Sequence, residues 1–134
     1  LVRDLDSTVS AAVDATALRQ VLINLIDNAL RHGGRDQTIH LTLRAEQDQA
    51  VITVDDQGPG IPRFDRERIF RPFLRLKEST GSGLGLAIVR QLVELHDGTI
   101  TVSDAPGSLL KAADRPGARF EIRLPRFTPD TLAG

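Results

Sequence analysis

The stretch Val54-Asp55-Asp56-Gln57-Gly58-Pro59-Gly60-Ile61 decides the fold, because an apolar strand ends there on acidic residues and glycines. Side chains of a strand alternate between its faces, so Asp56 shares a face with Val54 and Ile52. A carboxylate in such a core-facing row is costly to bury unless a donor meets it. The glycines let other groups approach the backbone closely. The stretch predicts either a nucleotide pocket, with Asp56 accepting a hydrogen bond from a base, or a capped turn after a buried strand.

The composition indicates one soluble globular domain. The 134 residues are 40% apolar and 26% charged, and the net charge of −1 gives no reason to expect nucleic-acid binding. Cysteine is absent, which excludes disulfides and thiolate metal sites. We find no apolar run of membrane-spanning length and no signal peptide. Because the chain begins at Leu1 and contains no Met, we expect residues 1–134 to be a single domain of a longer protein.

Apolar spacing predicts helices gathered between strand hairpins. One helix follows Asp14 as N-cap and ends at Gly33-Gly34. A second helix is predicted from Leu84 to His96, after a mostly loop segment with a short helix near residues 65–70. Strands are predicted near residues 39–44, 50–56, 99–103 and 118–124, the first two as a hairpin. This order indicates an α+β fold, a two-layer sandwich of a mixed sheet on about three helices, rather than a doubly wound sheet.

Two amides on the first helix are candidates for chemistry. Asn28 falls at the edge of the apolar stripe and Asn24 lies further round on the polar side, one turn away. Both can point into a common cleft. Asn is a mediocre helix former, so two in mid-helix indicate use, with two solvated surface amides as the alternative. An amide oxygen suits a Mg²⁺ ion that keeps most of its waters and bridges phosphates.

A glycine cluster, Gly81-Ser82-Gly83-Leu84-Gly85-Leu86, precedes the second helix. Glycines at alternate positions allow backbone N–H groups to converge at a helix N-terminus, which is an anion site suited to a polyphosphate. The pattern is neither a Walker loop, because no Lys-Ser or Lys-Thr follows, nor a dinucleotide fingerprint, because no buried strand precedes it. A flexible turn is the alternative.

The segment between the two glycine stretches carries apolar and then cationic residues. Ile69, Phe70 and Phe73 come first, and Arg75 and Lys77 follow. This order predicts a lid that is packed at its root and mobile over phosphates. A hydrophobic foot that ties down a long loop is the other interpretation.

Taken in this order, the motifs resemble those of the ATP-binding catalytic domain of two-component sensor histidine kinases, in the superfamily of gyrase B, Hsp90 and MutL. Residues 24–30 resemble the family's Asn box, residues 56–60 its first glycine box, residues 69–73 its Phe box and residues 81–86 its second glycine box. The resemblance covers nearly all of residues 14–125.

The resemblance implies a site for ATP and Mg²⁺. It assigns Mg²⁺ to Asn28, the adenine amino group to Asp56, and phosphates to Arg31 and Arg75. Asn24 and Arg75 are the expected catalytic residues. The full expected nucleotide-binding set is Asn24, Asn28, Arg31, His32, Asp56, Gly58, Gly60, Ile61, Phe70, Arg75, Lys77, Gly81, Ser82, Gly83, Leu84, Gly85 and Leu86.

Three positions depart from the family's pattern or its relatives. Related ATPases carry a Glu as general base where this chain has Asn24, which favours phosphoryl transfer over hydrolysis. His32 stands where a Tyr near adenine is common, and an imidazole there can stack or reach phosphate. Ser82 stands where some relatives place a metal-reaching amide. The loop over residues 104–116 is also longer than usual.

The family's phosphoacceptor His is not found in this chain, since neither His32 nor His40 is followed by an acid and Gly98 ends the helix just after His96-Asp97. The resemblance therefore implies that a separate helical dimerisation domain of the same protein presents that His. It also implies a response regulator as partner, a homodimeric parent, a monomeric isolated domain, and a cytoplasmic location beneath a membrane-anchored sensor. The alternatives are an anti-sigma-factor-like serine kinase, a small ATPase, or a degenerate docking module.

Overall fold

The computed structural model describes residues 2–5, 14–34, 36–72, 85–106 and 115–125. Within them lie five strands, two α-helices and two short 3₁₀ turns. In chain order these are β1 (Val2–Leu5), α1 (Ala15–Gly33), β2 (His40–Glu46), β3 (Gln49–Asp55), the 3₁₀ turns Arg63–Asp65 and Arg68–Phe70, α2 (Gly85–Leu95), β4 (Thr99–Asp104) and β5 (Ala118–Pro125).

The strands form one mixed sheet in the order β1-β2-β3-β5-β4. β1 runs parallel to β2, and every other neighbouring pair is antiparallel. The predicted α+β class, the β2–β3 hairpin and the mixed sheet are confirmed. The structure differs from the sequence analysis in two elements. β1 is a strand that the sequence analysis does not predict, and the short helix predicted near residues 65–70 is a pair of 3₁₀ turns. Two α-helices lie in the described ranges.

The core lies on one face of the sheet, in rows of apolar side chains that cross the strands. One row joins Leu41, Val54, Phe120 and Val102, which the strand register places side by side. The side chains of Val54 and Phe120 are almost completely buried. Asp56 follows Val54 by two residues and is itself buried at 6% exposure. The alternation of the strand therefore carries a carboxylate into the end of the core, as the sequence predicts.

The helices cover this face because each has one apolar stripe. Val21, Leu25 and Ala29 are the buried residues of α1, and Val89 and Val93 are those of α2. The start of α1 is stabilised by Asp14, whose Oδ1 accepts a 2.9 Å hydrogen bond from the N–H of Thr16. Among the helices of the described ranges, none combines the length and the apolar content that crossing a bilayer requires.

Candidate nucleotide-binding site

A cleft lies beside the end of β3, between α1 and the turn that follows the strand. Its free space, counted together with the open solvent at its mouth, is about 380 Å³. Its polar lining comes from two lengths of chain that are distant in sequence, with Asn28 and His32 on α1 and Asp56 after β3. The other lining residues are mostly apolar: Pro59, Gly60, Ile61, Ile69, Leu86 and Ala118. A largely apolar cleft with a few converging polar groups is the usual form of a small-molecule site.

The two oxygens of Asp56 have different surroundings. Oδ1 accepts backbone hydrogen bonds from Gly58 at 2.9 Å and from Ala118 at 3.0 Å. The bond from Gly58 caps the turn, so the simpler interpretation of this stretch also holds. For Oδ2, the part of the chain that the structure describes provides no hydrogen-bond donor. Asp56 therefore has one oxygen fixed by the backbone and one acceptor left over at the wall of the cleft.

Burial raises the pKa of the Asp56 carboxyl above its ordinary value of 3.8. The hydrogen bonds from Gly58 and Ala118 and the charge of His32 oppose that rise, while the neighbouring Asp55 adds to it. A ligand donor at Oδ2 favours the ionised form in the same way as the backbone donors do. The site therefore favours a ligand that brings a hydrogen-bond donor to this carboxylate.

Close backbone contacts shape the cleft and explain two glycines. A Cβ on Gly117 would lie 2.3 Å from the carbonyl oxygen of Asp56, and the φ of Gly117 is +68°. A Cβ on Gly60 would lie 2.7 Å from Cγ of Pro116, and the φ of Gly60 is +77°. Both conformations are strained for residues with side chains. These glycines let residues 115–118 pack directly against the turn that carries Asp56.

The amide of Asn28 fits the role of a magnesium ligand. It is half-buried, lines the cleft, and has no hydrogen-bond partner among the described residues. No group of three or more His, Cys, Asp or Glu side chains in the described part of the chain is arranged to hold a metal ion. A single amide oxygen suits Mg²⁺ that keeps waters and is held mainly by phosphates.

The position of Asn24 corrects the expectation of a shared cleft. It is not among the residues that line the cleft. Its Oδ1 accepts a 3.0 Å hydrogen bond from Nε2 of Gln20, and its Nδ2 donates at 3.3 Å to the carbonyl of Gly85. Asn24 therefore connects α1 to the first residue of α2. Helical spacing predicts that both amides point toward the cleft, but the amide of Asn24 is hydrogen-bonded to α2 instead.

Three other expected residues lie around the cleft rather than in it. Arg31 is exposed and pairs with Asp27 at 2.9 Å. Phe70 is buried in the core, where its ring meets Phe120 edge-on at 6.2 Å, and it is not among the residues that line the cleft. The N–H of Gly58 donates to Oδ1 of Asp56.

The remaining expected residues divide into two groups. His32, Gly60, Ile61 and Leu86 line the cleft, and Gly85 lies at the start of α2. The other expected residues, and with them the predicted lid, lie outside the described residues: Phe73, Arg75, Lys77, Gly81, Ser82, Gly83 and Leu84.

Sequence reasoning missed four residues that build the site. Pro59 and Ala118 line the cleft and were not in the expected nucleotide-binding set. Gln37 and Gln57 join the end of α1 to the turn after β3 through hydrogen bonds to backbone. No spacing pattern in the sequence points to these two glutamines.

Comparison with known proteins agrees with this geometry. The chain matches the family described as "Histidine kinase-, DNA gyrase B-, and HSP90-like ATPase" over residues 13–128. The alginate biosynthesis sensor protein KinB of Pseudomonas aeruginosa is 39% identical over 114 residues, which are 84% of this chain and 18% of KinB. The sensor histidine kinase TmoS of Ectopseudomonas mendocina is 41% identical over 128 residues, which are 90% of this chain and 12% of TmoS. The chain thus spans less than a fifth of either relative.

Solved structures show the same fold. The mycobacterial sensor histidine kinase MprB matches with a TM-score of 0.74 and 33% identity, covering 92% of this chain and 82% of that one. Full-length ShkA, crystallised in complex with AMPPNP, matches with a TM-score of 0.77 and 29% identity, covering 95% of this chain and 25% of ShkA. From its motifs, its fold and these relatives, the chain belongs to the histidine kinase-, DNA gyrase B- and HSP90-like ATPase family, and its relatives are sensor histidine kinases.

Proposed function

We propose that this domain binds ATP with Mg²⁺ and donates the γ-phosphoryl group to a histidine on a separate dimerisation and phosphoacceptor domain, in two-component signal transduction. The observation that carries the proposal is that Oδ2 of the buried Asp56, at the wall of an apolar cleft, has no donor among the described residues. An adenine ring presents its exocyclic amino group as a donor and two apolar faces, which matches this lining.

The lining residues have separate tasks in this proposal. Asp56 accepts from the adenine amino group, and Ile61 and Ile69 contact the ring. Asn28 holds Mg²⁺, which neutralises charge on the phosphates when it is bound. Asn24 cannot take a proton from water at neutral pH, so hydrolysis lacks a general base at this position. Phosphoryl transfer depends mainly on positioning and charge, and so does not need that base.

The proposed partners come from the family relationship. We propose that a helical domain of the same protein presents the acceptor histidine, and that a response regulator receives the phosphoryl group in turn. The isolated domain is a monomer in this proposal, and the parent protein is a dimer whose catalytic domain lies in the cytoplasm beneath a membrane-anchored sensor. Each of these statements rests on the family relationship.

Calorimetric titration of the isolated domain with ATP is the first test. Binding in the presence of Mg²⁺ that weakens when the metal is chelated supports the proposal, and a lack of ATP binding contradicts it. The second test mixes the ATP-loaded domain with a separately produced dimerisation domain that contains the acceptor histidine. Acid-labile phosphate should appear only on that domain. Acid-stable phosphoserine on an added protein would instead favour a serine kinase, and rapid ATP hydrolysis without a partner would favour an ATPase.

A further inference from the structure

The two polar walls of the cleft are held together by a pair of glutamines, Gln37 and Gln57. Asn28 and His32 lie on the last turns of α1, and Asp56 follows β3, so the width of the cleft depends on how α1 ends against the turn after β3. Main-chain ladders inside the sheet do not set this spacing, because α1 is not part of the sheet. Side chains from both lengths of chain set it instead.

Gln37 uses both amide hydrogens and its oxygen. Its Nε2 donates to the carbonyl of Ala29 at 2.6 Å and to that of Gly34 at 2.8 Å. Its Oε1 accepts from the N–H of Gln57 at 2.9 Å. The first bond reaches a carbonyl of the last turns of α1, and the second reaches the carbonyl of its C-cap residue, Gly34. One side chain thus binds the end of α1 and the residue next to Asp56.

A second contact runs in the opposite direction. Oε1 of Gln57 accepts a 2.9 Å hydrogen bond from the N–H of Thr38. The two chain segments also touch directly, since a Cβ on Gly58 would lie 3.3 Å from Cα of Gly33. Gly58 itself donates to Oδ1 of Asp56. Gln57 lies between Asp56 and Gly58 in the chain, so a displacement of Gln57 moves both neighbours. It therefore disturbs the hydrogen bond from Gly58 that holds Oδ1 of Asp56.

We propose that Gln37 is a positioning residue for purine recognition, which fixes Oδ2 of Asp56 relative to α1. The inference rests on the proposed ATP-binding function and names a residue through which that site discriminates between bases. It requires a side chain that donates twice and accepts once, which only an amide of this length provides here. Glutamate at position 37 keeps the acceptor for Gln57 but faces two carbonyls with an oxygen. Methionine keeps the length and loses all three bonds.

The test compares Mg-ATP with Mg-ITP, which differ in that inosine has a carbonyl where adenine has the amino group. In the unchanged protein, the carboxylate of Asp56 should favour ATP over ITP. Gln37→Met should reduce the ratio of the Kd for ITP to the Kd for ATP by about tenfold. The reason is that the charged hydrogen bond between Asp56 and the adenine amino group, of about 1.5 kcal/mol or more, loses its alignment. Gln37→Glu should reduce the ratio in the same direction. Gln91→Met, at an exposed site on α2, is the matched control and should leave the ratio unchanged.

The ratio separates positioning from stability, since an unfolded fraction that binds neither nucleotide lowers both apparent affinities equally. A lower melting temperature with an unchanged ratio in both Gln37 variants would show that Gln37 has only a structural role. That result would overturn this inference and leave the proposed ATP-binding function standing. No ATP binding by the unchanged domain would overturn the proposed function together with the inference. A reduced ratio in both variants, with the control unchanged, supports it.

Discussion

The backbone N–H of Ala118 donates a 3.0 Å hydrogen bond to Oδ1 of Asp56, which joins the first residue of β5 to the residue that follows β3. Gly58 donates to the same oxygen at 2.9 Å. The two backbone donors determine which oxygen of the carboxylate is held by protein. If an amide replaces the carboxylate, its oxygen must take the place of Oδ1, and its NH₂ group must take the place of Oδ2 at the cleft.

Asp56→Asn should therefore change which base is bound rather than abolish the site. The NH₂ group would meet the amino group of adenine donor to donor, so ATP affinity should fall by about 10- to 100-fold, the loss expected for a charged hydrogen bond of about 1.5–3 kcal/mol. ITP carries an acceptor at the same position and should lose much less. Calorimetric dissociation constants for both nucleotides provide the measurement.

Asp48→Asn is the control for this variant, because Asp48 is exposed in the turn between β2 and β3. It should bind both nucleotides as the unchanged protein does. The assignment of Asp56 to the base is wrong if Asp56→Asn binds ATP normally, or if it loses ATP and ITP to the same degree.

The raised pKa of Asp56 predicts a pH-dependent stability difference between the free protein and Asp56→Asn. Between 3.8 and the higher pKa in the folded state, the native chain holds more protons at this site than the unfolded chain does. The contribution of Asp56 to the free energy of unfolding must then fall as pH rises through that window. The variant has no such proton, so its stability relative to the unchanged protein should increase over the same window and then level off.

Urea unfolding of both proteins at a series of pH values, without nucleotide, measures this difference. Taking the difference removes the contributions of titrating groups that lie far from residue 56 and are the same in both chains. A difference that stays constant with pH, or one that decreases as pH rises, would contradict the burial of an ionisable Asp56.

The metal role of Asn28 separates it from the neighbouring amide of Asn24. Asn28→Ala removes the amide that lines the cleft, so Mg²⁺ should no longer strengthen ATP binding. Asn24→Ala removes hydrogen bonds to Gln20 and Gly85 instead, and should keep the metal dependence. Titrations with ATP in Mg²⁺ and in chelator test both variants. The same metal dependence in Asn28→Ala as in the unchanged protein would exclude Asn28 as the ligand.

The burial of Asp56 was predictable because the side chains of a strand alternate with a fixed period, whatever packs against them. The same holds for the apolar stripe of α1, which contains Val21, Leu25 and Ala29. Periodicity says nothing about a residue whose partner is distant in sequence. The amide of Asn24 meets the carbonyl of Gly85 only because α2 begins beside α1. The spacing of residues within α1 does not predict which residue of another helix lies next to it.

Short or polar features were missed for related reasons. β1 spans Val2–Leu5, and Arg3 and Asp4 interrupt its apolar pattern. Its pairing is parallel and lies at the edge of the sheet. Gln37 and Gln57 bind backbone groups. Such contacts depend on the path of the chain in the fold and not on the type of the residue whose backbone is bound. Side chains that bind main chain across a fold leave no repeat for sequence reasoning to detect.

The ion pair between Asp55 and Arg119 should contribute most to stability among the charged contacts on the other face of the sheet. The guanidinium of Arg119 donates to both oxygens of Asp55, at 2.6 and 2.9 Å. The side chain of Asp55 is only 1% exposed. Arg119→Ala should therefore lower the free energy of unfolding by about 3 kcal/mol or more, because it leaves a buried carboxylate without its partner. Urea denaturation near neutral pH measures the loss.

Arg123→Ala provides the matched control, because Arg123 lies on the same face of β5, four residues further along the strand. Arg123 pairs with Glu121 and Glu46, whose side chains are 22% and 47% exposed. Water can replace those contacts, so this variant should lose much less stability than Arg119→Ala does. If the loss in Arg119→Ala reflects the orphaned charge, then adding Asp55→Leu should restore much of the stability, since an apolar side chain needs no partner there. Equal losses in the two arginine variants would show that burial of Asp55 does not set the strength of its ion pair.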